Sequence, residues 1–195
     1  TSSRRPGGRT ARIRASVMQA VGDVLAELGL AGVELADIAR RAGVGKTTVY
    51  RRWGSAAALV ADLLADMAEQ STPRSHTGSL QGDLEANARL VQQTLDDRRQ
   101  GRVFAALIAA ATGDSPTARA LEHFYDVRIA EWEPCVDEAV ARGELPAGTD
   151  SAAVIRAVSA PLYYQRLTRT DPIGRDRAIT AARAAAAAAA AGVFV

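Results

Sequence analysis

Two short stretches of helical periodicity, separated by a glycine turn, constrain the fold of this chain more than any other feature. The apolar residues of the first stretch are Leu35, Ile38, Ala39 and Ala42. Their spacing of i, i+3, i+4 and i+7 is one face of a helix. Gly43 follows and can take the positive φ angle that a sharp reversal requires. In the second stretch Val49 and Trp53 lie four residues apart, so they are expected to face the first helix. The pattern predicts short helices over about 35–42 and 45–53.

The outward face of the second helix combines hydrogen-bond donors, methyl groups and positive charge. Its members are Lys46, Thr47, Thr48, Tyr50, Arg51 and Arg52. Such a face suits phosphate groups and the edges of bases. An amphipathic run from Ile13 to Leu28, ended by Gly29 and Gly32, predicts a preceding helix. Three short helices with a glycine turn before the third are typical of a helix-turn-helix, whose last helix lies in the DNA major groove.

The same turn also resembles the end of a nucleotide-binding P-loop, G-x-x-x-x-G-K-[ST], through Gly45, Lys46 and Thr47. The first glycine of that motif falls at position 40, where this chain has Arg40. A P-loop also follows a buried strand, whereas the residues before this turn have helical spacing. These two departures favour DNA over nucleotide binding.

The rest of the chain is also predicted to be helical. Ser55 is expected to cap a fourth helix of about 17 residues, which buries Leu59, Val60, Leu63, Leu64 and Met67. A polar loop over 71–82 precedes five more helices. The fold class is therefore all-α with about nine helices, arranged as a flexible basic arm at 1–9, a helix-turn-helix domain at 10–54 and a second helical domain at 55–195.

Three sequence signals predict interruptions in the later helices. Ser115-Pro116 is an N-cap followed by a first-turn proline, and it should open a helix. Pro134 is expected to kink or end that helix, and Pro161 implies a bend in the next one. The last helix should run from near Pro172 to about Gly192. Its alanine run is either a close-packed dimer seam, which we favour, or a low-complexity tail.

Charge is distributed unevenly, although the net charge is only +2. Residues 1–54 carry ten basic and four acidic side chains, whereas residues 55–195 carry fourteen and eighteen. The amino-terminal quarter is therefore the part that attracts anions. A single cysteine, Cys135, excludes an internal disulfide framework. No signal peptide or segment of about 20 apolar residues is apparent, so a cytoplasmic protein without membrane partners is expected.

The stretch LADIARRAGVGKTTVYRRWGSAAALV, residues 35–60, resembles the helix-turn-helix signature of the TetR family of transcriptional regulators. The resemblance extends over about Thr10–Met67, and PLYYQRL at 161–167 is similar to the penultimate helix of one subgroup. It implies a homodimer that binds double-stranded DNA at a palindromic operator. It also implies a carboxyl-terminal domain that binds a small-molecule effector and dimerises, here through the last two helices.

By position in the family motif, six residues are expected to contact DNA. Lys46, Thr47 and Arg51 correspond to base readers, and Thr48, Tyr50 and Arg52 correspond to phosphate anchors. Two positions depart from many relatives. Glu34 replaces a capping Ser or Thr, and Ala56 replaces a Lys directed at the DNA backbone. The arm residues Arg4, Arg5 and Arg9 offer minor-groove contacts that would compensate.

The helix positions also indicate where an effector would bind. The candidate residues are Met67, Phe104, Leu107, His123, Phe124, Trp132 and Tyr163. Because this set is aromatic and apolar, the expected effector is mainly apolar or aromatic, and its binding would release a repressor from its operator. An alternative is a helical ligand-binding or scaffolding dimer with weakened DNA binding. No enzyme activity, metal or cofactor is expected, since no metal-ligand spacing or nucleophile–histidine arrangement is present.

Overall fold

The computed structural model describes residues 7–195, which form nine α-helices and one turn of 3-10 helix with no strand in this range. The helices are α1 (Gly7–Leu28), α2 (Leu35–Arg41), α3 (Lys46–Arg52), α4 (Ala56–Glu69), α5 (Leu80–Asp96), α6 (Gln100–Ala111), α7 (Ser115–Ala141), α8 (Ser151–Thr168) and α9 (Arg175–Ala190). The chain divides into two compact units, one with residues up to Gln70 and Arg102–Phe124, the other with Ser71–Gly101 and Tyr125–Val195. The predicted all-α class is confirmed.

Unit 1 contains the helix-turn-helix and α4, which packs against α1. Its core consists of the apolar faces that the helical periodicity predicted. Buried members include Val17, Val21, Val24, Leu25, Ile38, Val49, Leu59, Val60, Leu63 and Leu64. Burial of each large aliphatic side chain contributes about 1.5–3 kcal/mol. The predicted cap is also confirmed, because the Ser55 hydroxyl accepts from the Ala58 N–H at 3.1 Å.

Unit 2 is built on close packing of α5, α8 and α9. One face of the alanine-rich α9 is buried within the unit, at Ala178, Ala181, Ala182, Ala185 and Ala189. Alanine side chains let helix backbones approach closely, so this face of the alanine run serves packing within the chain. The Asp96 carboxylate at the end of α5 accepts from the N–H groups of Ile173 and Gly174 and holds the chain that enters α9.

The segment between α4 and α5 is shorter than predicted and is held within unit 2. The Arg74 guanidinium pairs with Glu138 at 2.8 Å, and its backbone N–H donates to Glu131 at 3.1 Å. The Asp83 carboxylate accepts from both the N–H and the hydroxyl of Thr77. This segment is therefore tied to both α5 and α7.

Several helix limits differ from the sequence predictions. The arm residues 1–6, with Arg4 and Arg5, lie outside the described residues, whereas Arg9 lies in α1, which begins before Ile13. Ser115 is not the cap of α7, because Asp114 accepts from the Thr117 N–H at 2.8 Å. α4 has 14 residues, fewer than the 17 expected.

Neither internal proline ends its helix. Pro134 lies inside α7 and Pro161 lies inside α8. A proline removes one helical hydrogen bond. At Pro134 the cost is offset because Trp132 and Val136 on either side of it are buried. In residues 7–195 no helix combines the length and apolar character needed to cross a bilayer.

Candidate functional site

The turn between α2 and α3 has the hydrogen bonds of a glycine C-cap. Gly43 has φ 65°, its N–H donates to Arg40, and the Val44 N–H donates to Ala39. These two bonds are the pair that defines a Schellman motif, and they satisfy the last carbonyls of α2. The left-handed conformation predicted for Gly43 is thus confirmed, and it directs the chain sharply into α3.

α3 has one buried side and one exposed side. Val49 is fully buried, and Trp53, which follows the helix, is 8 % exposed. The six residues predicted to contact DNA all lie outside this buried pair. Lys46, Thr47, Tyr50, Arg51 and Arg52 are exposed, and Thr48 is half-buried. The structure therefore groups these six side chains on one accessible surface, which we call the α3 face.

The cations of the α3 face differ from the arginines of α2 in their partners. Arg40 and Arg41 both pair with Asp37, and Arg41 also pairs with Glu27 of α1 at 2.8 Å. In the described part of the chain, no salt bridge involves a cation of the α3 face. These cations are therefore available to an external anion.

One acidic side chain next to the α3 face was not identified from the sequence. The Asp62 carboxylate on α4 accepts from Trp53 Nε1 at 2.8 Å and from Arg14 Nε at 3.0 Å. Burial disfavours the ionised carboxylate, but the hydrogen bonds from Arg14 and Trp53 hold the pKa of Asp62 below its ordinary value. The available sequence signal was the acidic i, i+4, i+7 series of Asp62, Asp66 and Glu69 on a mostly apolar helix.

The two departures from the motif have structural counterparts. Glu34 occupies the N-cap position of α2, and its exposed side chain makes no capping hydrogen bond. Ala56 is the first residue of α4, directly after the capping Ser55. Glu34 therefore leaves the start of α2 without a side-chain cap, and Ala56 has no side-chain donor for a phosphate.

The seven predicted effector residues fall in both compact units. In unit 1, the Phe104 and Phe124 rings contact each other with centroids 5.4 Å apart, and Leu107 is buried. Met67 is half-buried and His123 is exposed.

In unit 2, Tyr163 makes an edge-to-face contact with Tyr125 at 5.5 Å. Burial raises the pKa of Tyr163 to about 12, so its hydroxyl stays protonated at neutral pH. Trp132 is 2 % exposed, and its Nε1–H has no hydrogen-bond partner among residues 7–195. The structure thus brings together one aromatic pair in each unit.

Sequence reasoning missed a second unpaired group in unit 2. Asn87 on α5 is 4 % exposed, and in the part of the chain that the structure describes its Oδ1 has no hydrogen-bond partner. Buried polar groups are nearly always paired, so an unpaired donor and acceptor in one unit require an explanation. An asparagine among helical apolar positions was the only signal in the sequence.

Two models of known protein families match this chain. Residues 20–63 match the family model described as bacterial regulatory proteins, tetR family. Residues 74–185 match the model described as tetracyclin repressor-like, C-terminal domain. The second match alone covers more than half of the chain. The chain belongs to the TetR family.

The relatives of this TetR-family regulator support the assignment along most of its length. It is 32% identical over 157 residues to the HTH-type transcriptional regulator AqdR of Rhodococcus erythropolis, covering 79% of this chain and 74% of AqdR. The fold is similar to that of GusR from Salmonella enterica, with a TM-score of 0.73, 20% identity, and coverage of 93% and 95% of the two chains. MexZ of Pseudomonas aeruginosa, described as a key repressor responsible for antibiotic resistance, has a TM-score of 0.65 and 21% identity over 90% and 94%. The TetR-family regulator is therefore a DNA-binding transcriptional regulator.

Proposed function

We propose that this TetR-family regulator is a homodimeric repressor that leaves a palindromic operator when a small, mainly apolar or aromatic effector binds. The observation that carries the DNA-binding part is the α3 face, where accessible cations that form no salt bridge within residues 7–195 lie opposite the buried Val49 and Trp53. On this surface Lys46, Thr47 and Arg51 read base edges. Thr48, Tyr50 and Arg52 anchor phosphates.

The proposed dimer forms through α8 and α9. α8 exposes large apolar side chains three residues apart, with Tyr164 71% exposed and Leu167 48% exposed. These residues lie on one side of α8, whereas Val158 and Leu162 face the interior of unit 2. A two-fold axis at this surface pairs identical patches, and it matches the symmetry of a palindromic operator.

The proposed effector binds at the interface of α5 and α7 in unit 2. These helices run antiparallel, because Arg74 pairs with both Asp83 of α5 and Glu138 of α7, while Glu144, three residues beyond the end of α7, accepts from the Leu80 N–H at the start of α5. Asn87 lies one turn onward from Asp83 on α5, and Trp132 lies nearly two turns back from Glu138 on α7. Their unpaired Oδ1 and Nε1–H suit an aromatic effector that carries one hydrogen-bond acceptor and one donor.

Repression and release follow from linkage between the two binding sites. MexZ, a structural relative, is described as a repressor. Only Trp53, Gly54 and Ser55 separate α3 from α4, and the 14 residues of α4 span about 21 Å. A tilt of α4 by about five degrees therefore moves one end by about 2 Å, which disturbs the groove spacing of about 34–36 Å that a dimer must match. An effector lowers DNA affinity by at most its preference for the tilted state.

The test combines operator selection with effector screening. A 30-base-pair duplex is selected from a random library by the wild-type protein, and sedimentation should show two subunits per duplex. Aromatic compounds with one donor and one acceptor are then screened for release of the labelled duplex. Trp132→Phe and Asn87→Leu should weaken release at least tenfold and leave DNA affinity without effector unchanged. Equal release of wild-type and variant proteins would remove this site from the proposal.

The alternative, a ligand-binding dimer with weakened DNA binding, is favoured only by Glu34 and Ala56. A negative charge at the start of α2 repels phosphate, and alanine at the start of α4 donates no side-chain hydrogen bond. Selection of duplexes from a random DNA library separates the two functions, because a protein with weakened DNA binding would enrich no sequence.

A further inference from the structure

Asp62 joins three helices of unit 1 through one carboxylate group. Its Oδ2 accepts from Trp53 Nε1 at 2.8 Å. Its Oδ1 lies 3.0 Å from Arg14 Nε and 2.9 Å from Arg14 Nη2. Trp53 directly follows α3, Asp62 lies on α4 and Arg14 lies on α1. Both oxygens of Asp62 are thus used, each for a different helix.

The contact with Trp53 reaches the α3 face in two steps. The indole has a single hydrogen-bond donor, so the bond to Asp62 sets the orientation of the ring in its plane. The Arg52 guanidinium lies 4.9 Å from the centroid of the same ring. A cation over an indole is attracted to its face, and the ring therefore supports Arg52, a proposed phosphate anchor.

Asp66 provides an internal comparison, because it shares Arg14 with Asp62 but does not contact Trp53. Arg14 Nη1 lies 2.9 Å from Asp66 Oδ1 and 3.1 Å from Glu69 Oε2. Asp66 accepts its other hydrogen bond from Gln70, which lies at the end of the same helix. The two aspartates therefore differ chiefly in the contact that Asp62 makes with the end of α3.

We propose that Asp62 is a positioning residue for operator recognition, which holds α3 in its DNA-reading orientation through the Trp53 indole and fixes it to α4. This role rests on the proposed use of the α3 face for DNA, and it adds a residue that does not itself touch DNA. A change in the tilt of α4 then reaches Arg52 through Asp62 and Trp53 as well as through the backbone.

The sign of the effect distinguishes positioning from simple electrostatics. Replacing an acidic residue near a DNA-binding surface by a neutral one strengthens DNA binding when only long-range charge matters. Loss of the contact that positions α3 weakens DNA binding. Asp62→Asn and Asp66→Asn remove the same charge from the same helix, one turn apart. Because Asp62 also lies near Arg52, the loss of its charge alone would strengthen DNA binding, so weaker binding by Asp62→Asn than by Asp66→Asn reports lost positioning.

The experiment measures binding of the full chain to the selected 30-base-pair duplex by fluorescence anisotropy. Asp62→Asn should bind about tenfold more weakly than Asp66→Asn, which should equal or exceed the wild type. Trp53→Phe, which keeps an aromatic ring and every charge but removes the indole N–H, should also lose about tenfold. In the Asp62→Asn background its cost should be smaller than in the wild type, because Asn has one acceptor oxygen for two donors and the charge-assisted bond is already lost.

A second measurement follows the contact without DNA. The chain has two tryptophans, so a ¹⁵N spectrum has two indole N–H signals, and the Trp53 signal is the one absent from Trp53→Phe. Asp62→Asn should shift that signal, whereas Asp66→Asn should leave it in place.

The proposal is overturned if the DNA affinity of Asp62→Asn is within twofold of that of Asp66→Asn, or if the Trp53 indole signal does not shift in Asp62→Asn. If Asp62→Asn does not fold, Trp53→Phe decides, and wild-type affinity in that variant rejects the proposal. Lys46→Ala tests the DNA-binding proposal separately. This variant should bind DNA more weakly whether or not Asp62 positions α3, so unchanged binding would reject the use of the α3 face and not only the role of Asp62.

Discussion

The salt dependence of DNA binding is the measurement that Lys46→Ala should change most clearly. The α3 face carries three exposed cations per subunit, Lys46, Arg51 and Arg52, and hence six in the proposed dimer. With about 0.9 counterions displaced for each cation brought against the DNA, whether its hydrogen bonds go to a base edge or to a phosphate, the slope of log K against log salt is about −5.4. Between 50 and 200 mM salt the wild type should therefore lose about 1,800-fold in affinity.

Lys46→Ala removes two of these charges from the dimer. The slope should fall to about −3.6, and the loss over the same salt range to about 150-fold. Any contacts from arm arginines add equally to both proteins, so the difference of about 1.8 remains. The assay is anisotropy of the selected duplex at five or more salt concentrations.

Arg142→Ala is the matched control, because it removes the same charge from an exposed position just beyond α7 in unit 2, away from α8 and α9 in the sequence. Its slope should equal that of the wild type. Lys46 is also the chain's single lysine, so ¹³C-methylation gives one lysine resonance, and that resonance should shift when the duplex is added. An unchanged slope together with an unshifted resonance would refute the placement of Lys46 at the DNA.

Two further predictions concern stability and reactivity. Asp114→Ala should lower the free energy of unfolding by about 1 kcal/mol through loss of the α7 cap, whereas Ser115→Ala should change it little in chemical denaturation. Equal effects would contradict the cap assignment. Burial raises the pKa of Cys135 to about 12, so its reaction with a disulfide reagent at pH 8 should be roughly a thousandfold slower in native than in unfolded protein. A native rate near the unfolded one would contradict this burial.

The helix-turn-helix was predictable because its signals are local. A glycine able to adopt positive φ, apolar residues at helical spacing and a capping serine act over one or two turns. Gly43, Val49 and Ser55 accordingly have the predicted conformation, burial and capping bond. The roles of the α3 face in base and phosphate contact stay predictions.

The misassigned helix features involve choices that local signals leave open. Asp114 and Ser115 are adjacent and both have capping side chains, and the structure uses the first. Pro134 weakens a helix locally, yet α7 continues because Trp132 and Val136 on either side of it are buried in unit 2. Packing over many residues outweighs the loss of one hydrogen bond.

By itself the sequence determined the chemistry of the α3 face and the turn that presents it, because both depend on residues within about ten positions of each other. Only the tertiary structure decided that Arg14 pairs with Asp62, since 48 residues separate them and their meeting depends on how α1 packs against α4. The same holds for the buried face of α9 and the unpaired atoms of Asn87 and Trp132. Which surfaces meet is set by the summed burial of whole helix faces, and no short segment encodes that sum.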